Sequence, residues 1–475
     1  MKLLSLLLLL SLSHAWSADD TPNIVFVLVD DMGYGDLAAH GNRLIHTPHM
    51  DRIHHESVRF TNFCVSPSCA PTRATLMSGK HEFKVDVSHT ILGRNVLNLQ
   101  SQTVANVLKS GGYTTGMFGK WHLGIQDSYR PDKRGFDVAL TDVDDSQKHH
   151  YDPTLQRNGV EEKHQGYRTD IFFNQAMDFI ESNQNKKFFC YIPTYSPHSP
   201  LIVPERYSKR YEGNPNKNFL GMVTNVDENI GRLRRKIEQL GLTDKTVFIL
   251  MNDNGGTWGV DVHNAGMRGR KGSALYGGIR ALSFWSWPGK WKPVEREQMT
   301  GHVDFLPTIA EIAGVKLEDG LKQSLDGVSL MSLIDGKAVQ SDAAEILKVN
   351  DRMLVAHRAR WSDVPGRTAA QNIQDHKYAY CCVRWKHYLL LRVQPCSSKE
   401  CSTCQKIHNR CKDTSARGRP YTNNIKHYMA PENKWKLYDL NNDLFQTKDI
   451  AAQQPVIVQK MAGHYEQWWM DSWMR

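Results

Sequence analysis

Three runs of branched and aromatic residues constrain this chain more than anything else in it. Ile24 to Val29 (IVFVLV), the segment Lys186 to Pro193 (KKFFCYIP) and Thr246 to Met251 (TVFILM) are continuously apolar once past the two lysines, with no alternation. A strand with one wet face alternates. A run without alternation belongs to a strand covered on both faces, as in a parallel sheet with helices above and below. Helical patterns lie between the runs. Val104, Ala105, Val107 and Leu108 precede Gly111-Gly112, and Leu220, Val223, Val226, Ile230, Leu233, Ile237 and Leu240 step by three or four to a stop at Gly241. Strands alternating with helices predict a doubly wound α/β domain, in which ligands collect beyond the carboxyl ends of the strands. Each run here ends in polar groups: Asp30-Asp31, His198 after Pro193, and Asn252-Asp253-Asn254. One site at these three exits is expected. An acidic pair alone reads as a solvated turn, but Asp30, Asp31, Asp253 and Asn254 together are four hard oxygen donors, the set that Ca²⁺ or Mg²⁺ requires.

The pattern changes after about Ala344. Residues 346–349 (ILKV), 353–359 (MLVAHRA), 387–393 (HYLLLRV) and 435–440 (WKLYDL), with a Trp-rich helix from Pro455 to Trp473, predict a smaller C-terminal α+β domain carrying an antiparallel sheet. Residues 1–17 (MKLLSLLLLLSLSHAWS) read as a signal peptide, so 18–344 is the expected catalytic domain and 345–475 the second. No later stretch reaches the roughly 18 apolar residues of a membrane span, and the mature protein is expected to be secreted or periplasmic. The absence of any N-x-S/T sequon leans toward a bacterial source. With 475 residues and 40% hydrophobic content the chain can bury a large core, which excludes disorder, a coiled coil and a disulfide-only miniprotein. A net charge of +9 suits an anionic ligand; no nucleic-acid partner is expected.

The most informative segment is Pro67 to Gly79 (PSCAPTRATLMSG). By themselves Cys69 could be half of a disulfide and Arg73 a surface charge. Yet Cys69-Ala-Pro-Thr-Arg73 resembles the C-x-P-S/T-R signature of the type I sulfatases, whose cysteine is oxidised to formylglycine. Gly112 to Gly124 (GYTTGMFGKWHLG) is similar to the second sulfatase signature, Asn23 to Asp31 to the family's first strand, and Trp435 to Leu440 to its late C-terminal strand. The matches run in the family's order along nearly the whole mature chain.

The resemblance implies an alkaline-phosphatase-like fold and a divalent cation, Ca²⁺ with Mg²⁺ as the alternative, held by Asp30, Asp31, Asp253, Asn254 and the modified Cys69. It implies that the metal, Lys120 and Lys271 clamp a sulfate ester, that Arg73 holds the formylglycine hydrate, that His122 assists elimination of sulfate and that His198 protonates the leaving alcohol. Physical chemistry supports such a set. The ester's oxygens repel a nucleophile until cations neutralise them, and imidazole moves protons near neutral pH. The implied partners are a sulfated carbohydrate or other sulfate ester and a formylglycine-generating or sulfatase-maturating enzyme. Three residues depart from the family's pattern. Tyr276 stands where Glu is usual, which puts the support of the Lys271 loop in question; Phe118 replaces a small residue, and Ser78 a Thr.

Other residues stay outside the catalytic set. His302 and Asp304 resemble a segment that packs near the site, with Asp304 expected to cap a helix beginning at Leu306. His89, His149 and His150 read as exposed loop residues that could also line a substrate pocket. Cys381, Cys382, Cys396, Cys401, Cys404 and Cys411 could form disulfides or, with His408, bind zinc; disulfides suit an oxidising compartment better. Between Tyr380 and Lys426 ten Lys/Arg face two Asp/Glu, either a solvated loop or a subsite for a sulfated polyanion. The rival functions are a phosphatase or phosphodiesterase of the same superfamily, which usually needs a Ser or Thr nucleophile and two zinc ions, and a catalytically silent glycan-binding relative.

Overall fold

The computed structural model describes residues 21–91, 93–144, 149–336, 349–359, 366–394 and 432–473. A ten-stranded sheet runs through it in the order β12 (Val294–Arg296), β2 (Val58–Phe60), β11 (Ser283–Ser286), β9 (Thr246–Asn252), β1 (Asn23–Val29), β8 (Phe188–Pro193), β4 (Thr114–Phe118), β5 (Val138–Asp142), β6 (Thr154–Arg157) and β7 (Val160–Lys163). The five strands from β9 to β5 are parallel. The flanks depart from the doubly wound expectation: β11 pairs antiparallel with β9, and β6 and β7 continue antiparallel from β5.

The unbroken apolarity of β1 has a direct cause. Ile24, Phe26 and Leu28 point into one core layer and Val25, Val27 and Val29 into the other, so no position meets water. The first layer is covered by α2 (Cys69–Ser78), α3 (Val104–Ser110) and α8 (Phe305–Ile312). The second is covered by α1 (Pro48–Glu56), α4 (Arg168–Ser182) and α6 (Lys217–Gln239). Two short helices, α5 (Glu205–Ser208) and α7 (Tyr276–Ile279), lie in connections. Phe118 fits because its neighbour Gly116 has no side chain; a Cβ there would stand 2.8–2.9 Å from the Phe179 and Phe118 rings.

A three-stranded sheet, β10 (Arg280–Ala281), β3 (Phe63–Cys64) and β13 (Thr300–Gly301), joins this body to a four-stranded antiparallel sheet of β14 (Met353–His357), β15 (Cys381–Trp385), β16 (Tyr388–Arg392) and β17 (Lys436–Asp439). The helix Pro455–Trp473 lays Met461, Tyr465 and Trp469 on Val355, Val383, Leu390 and Leu437. Phe83 joins that cluster, its ring centroid 5.5 Å from Trp468 and 4.8 Å from Trp473. No helix among the described residues is long and apolar enough to cross a membrane.

Two sequence expectations need correction. Cys381 and Cys382, grouped above with a disulfide or zinc cluster, are free buried thiols on opposite faces of β15; burial pushes the Cys381 thiol up to about 12. Asp304 does not cap α8 with its side chain. Its carboxylate instead accepts from Gly301 N and Val328 N and pairs with Arg352. Residues 1–17, the junction at 344, Cys396, Cys401, Cys404, Cys411, His408 and most of the basic stretch lie outside the described residues.

Candidate active site

The carboxyl ends of β1, β9, β8 and β4 converge, and the residues singled out in the sequence meet there. Asp30 and Asp31 follow β1, Asp31 at a positive φ of 64°. Asp253 and Asn254 follow β9. Gly119 ends β4 at φ 139°, and a Cβ there would lie 1.9 Å from Pro193 O of β8. Only glycine allows that approach, and it lets Lys120 N donate to Pro193 O at 2.7 Å, aiming the lysine inward. Two residues on, His122 is also at positive φ, 63°. Cys69 is the first residue of α2, every residue of which is buried.

At the centre Asp30, Cys69 and Asp253 each offer a donor atom, all within 4.8 Å of one another. Lys120 Nζ donates to Asp30 Oδ2 at 2.6 Å and stands 3.7 Å from Cys69 Sγ. Arg73 donates through Nε and Nη2 to Asp253 Oδ2 at 3.1 and 2.8 Å and through Nη1 to Lys120 O at 2.6 Å. His122 Nδ1 is 3.5 Å from Cys69 Sγ, and its Nε2 meets Thr90 O at 3.0 Å. On the other side Asp31 receives Lys271 Nζ and Asn254 Nδ2, the latter at 3.0 Å, and lies 3.6 Å from His198 Nε2. All ten predicted site residues are therefore in one cluster.

The charges are strongly coupled. Burial alone would raise Asp30, but Lys120, His198, Arg73 and Lys271 outweigh it and hold this carboxyl well below the usual range. Asp253 goes the other way: burial, reinforced by the negative charges of Asp30, Cys69 and Asp31, pushes it well above that range despite Arg73. Asp253 is thus the carboxylate that further positive charge would most help to ionise. Asp30 Oδ1 and Asn254 Oδ1 are moreover buried without a hydrogen-bond partner. Hard oxygen donors, two of them unsatisfied and one of those a carboxylate oxygen, fit a divalent metal.

A second tier is centred on Glu82, which the sequence reading did not single out; it includes His302, expected near the site. Glu82, fully buried, accepts from Ser66 Oγ at 2.7 Å and Thr75 Oγ1 at 3.1 Å, while His302 Nε2 lies 2.9 Å from Ser66 Oγ. His81 and His302 overcome burial and hold Glu82 down to about 2. The exposed-loop reading fails for two histidines, since His89 and His150 are each only 4% exposed; His149 is exposed. His150 is near enough to His198 for their charges to interact, next to the buried pair Arg168–Asp142 at 2.6 Å. Tyr276 supports its loop without the usual Glu: its N–H donates to Gln446 Oε1 at 2.8 Å and its OH to Asn62 Oδ1 at 3.1 Å.

The family model described as Sulfatase matches residues 22–315, more than half of the chain. The chain belongs to the sulfatase family. It is 27% identical over 471 residues to Arylsulfatase J of Mus musculus, covering 94% of this chain and 75% of that protein. Over 368 residues it is 28% identical to N-acetylgalactosamine-6-sulfatase of Homo sapiens, covering 68% of each. Among solved structures, Ps i-CgsB in complex with k-i-k-neocarrahexaose superposes with a TM-score of 0.76 at 24% identity, covering 95% of this chain and 93% of that one. The fold is accordingly alkaline-phosphatase-like, and this sulfatase is a sulfuric ester hydrolase.

Proposed function

We propose that this sulfatase is an exported enzyme that removes sulfate from a carbohydrate, with galactose or N-acetylgalactosamine sulfates as the substrate class. The reading includes a formylglycine made from Cys69 by a maturating enzyme, a bound Ca²⁺ (Mg²⁺ as the alternative), and a catalytic domain of residues 18–344 followed by a C-terminal domain. It is carried by one observation: a helix N-terminus bearing Cys69, three carboxylates and the cationic or basic groups of Arg73, Lys120, Lys271, His122 and His198 share one buried pocket. The relatives named for sulfate-ester hydrolysis and the structure bound to neocarrahexaose support the substrate class.

Held by Asp30, Asp31, Asp253, Asn254 and residue 69, a hard cation supplies charge neutralisation at the ester oxygens, and the formylglycine supplies the attacking hydroxyl. The protein's own groups do the rest. Lys120 and Lys271 carry fixed positive charge to where sulfate oxygens gather negative charge. Arg73 locks Asp253 to the backbone of Lys120, so that two strand exits move as one. A carbonyl oxygen can only accept, so His122 Nε2 facing Thr90 O bears a proton, and in the neutral ring Nδ1, which faces residue 69, is the nitrogen that takes one. His198 Nδ1 likewise donates to Ser199 O at 2.6 Å, leaving Nε2 toward the pocket. Burial holds His198 down to about 4 against the opposing pull of Asp31. An anionic ester beside it, offsetting Lys271 and Lys120, raises it toward the range of a useful acid.

The deciding experiment is the mass of the tryptic peptide containing Cys69, together with turnover by Cys69→Ala. We expect the active preparation to carry an aldehyde oxygen in place of the sulfur, and Cys69→Ala to release no sulfate while keeping its circular dichroism. An unmodified thiol in fully active enzyme would overturn the formylglycine reading.

A further inference from the structure

Resting on the reading of the substrate as a sulfated glycan, we propose a second binding site, for an anionic sugar residue, in a cavity of about 380 Å³ where the three-stranded and four-stranded sheets meet. Three of its cations are Arg280 of β10, Arg384 of β15 and Lys386. Arg384 is 2% exposed, yet among the described residues its side chain meets Tyr388 O, Asn62 Oδ1, Lys386 O and the Cys64 thiol, and no carboxylate. Among the described residues Arg280 donates to Thr61 O, Tyr34 OH and Met267 Sδ, again to no carboxylate. Among the described residues the wall holds a single carboxylate, Glu297, which is exposed. A guanidinium taken out of water without a counter-ion is unfavourable, and a bound anion relieves it.

The surroundings suit a sugar as well as a charge. Asn62 Oδ1 receives both Tyr276 OH and Arg384 Nη2, which leaves its Nδ2 donors without a protein partner among the described residues. Gln298 Oε1 in the same wall is buried without a donor. Amide donors and acceptors beside planar guanidinium forks match sugar hydroxyls flanked by a sulfate or carboxylate. The two guanidinium carbons lie 5.2 and 4.8 Å from the Tyr276 ring centroid, which holds them in place. Tyr276 is on the segment that carries Lys271, so an occupied cavity and the catalytic centre share one loop.

The test uses Asn62→Asp, which gives Arg384 the carboxylate it lacks at almost unchanged volume, and Lys386→Glu, a surface change. Calorimetric binding is measured in the non-turning-over Cys69→Ala background with three hexasaccharides: κ-carrageenan (sulfates, no carboxylates), hyaluronan (carboxylates, no sulfates) and agarose (neither). We expect both substitutions to weaken at least one anionic hexasaccharide by about tenfold or more, and kcat/KM for a small aryl sulfate, measured with Cys69 intact, to stay within about twofold. The hexasaccharide affected identifies the anion as sulfate or carboxylate. Unchanged binding of all three by both variants, or equal weakening of agarose, overturns the site. Wild-type enzyme that binds κ-carrageenan hexasaccharide through these residues but frees no sulfate from any sulfated sugar would retire the proposed substrate and leave the cavity's role standing.

Discussion

Asp31 and His122 adopt a left-handed backbone that disfavours side chains other than glycine, and both face the reacting position. His198 yields the sharpest prediction at this scale. A sugar alkoxide is a poor leaving group that must be protonated as the S–O bond breaks, whereas an activated aryl sulfate scarcely needs an acid. His198→Ala should therefore lose roughly 10²–10⁴-fold in rate on a sulfated sugar and far less on the aryl ester; equal losses on both would remove His198 from the acid's role. Asp36 makes a different prediction. Burial pushes it up to about 7 against one hydrogen bond from Gly33 N. Because the folded-state value is raised above that of the unfolded chain, the stability it contributes is complete below about pH 4 and is lost as pH rises through 7. Asp36→Asn, neutral throughout, should be more stable than wild type at pH 8 by on the order of 4 kcal/mol and should show no such gain at pH 4. Urea unfolding at the two pH values measures it. Nine of the ten central residues were legible because strand exits and two short motifs bring them together, and Lys271 came from the family resemblance alone. Glu82 was not, because its partner Ser66 is 16 positions away and that serine's other partner, His302, is 236 away, with no local pattern linking them.

Elements were legible where burial imposes a period. β1, β8, β9 and α6 announce themselves because both faces of each strand, or one long stripe of the helix, must be apolar. β15 was missed: its short CCVRW looks like cysteine chemistry, and its identity as a strand comes from pairing with β14 and β16. The antiparallel flanks were missed because β6 and β7 are partly or fully exposed and carry little apolar signal. At this scale the junction of β4 with β8 is the point to perturb. Gly119→Ala would drive a methyl group into Pro193 O and should cost about 2 kcal/mol or more while displacing Lys120. Melting temperature and kcat should fall together; a variant that keeps both would show that the strand exits have slack.

For the molecule as a whole, the cation is expected to act as part of the fold. A ligand bound only by the native state stabilises by about 2.7 kcal/mol at a hundred times its Kd. Chelation should accordingly lower the melting temperature and abolish sulfate release, and Ca²⁺ or Mg²⁺ should restore both. Elemental analysis finding two zinc ions per chain instead would favour the phosphatase branch of the superfamily. The cavity with Arg280 and Arg384 could not be read from the sequence, since its walls come from six separate stretches between Thr61 and Leu444.

The contact of Phe83 with Trp468 and Trp473 ties the turn that carries Glu82, and through it the floor beneath Cys69, to the helix Pro455–Trp473. Synthesis runs from the amino end, so α2 leaves the ribosome long before that helix exists. Cys69, 1% exposed once everything is in place, is open to another protein only during that interval. On the proposed formylglycine reading, conversion of the cysteine and completion of the fold are competing clocks, and slowing elongation downstream of α2 should raise the fraction of chains that mature.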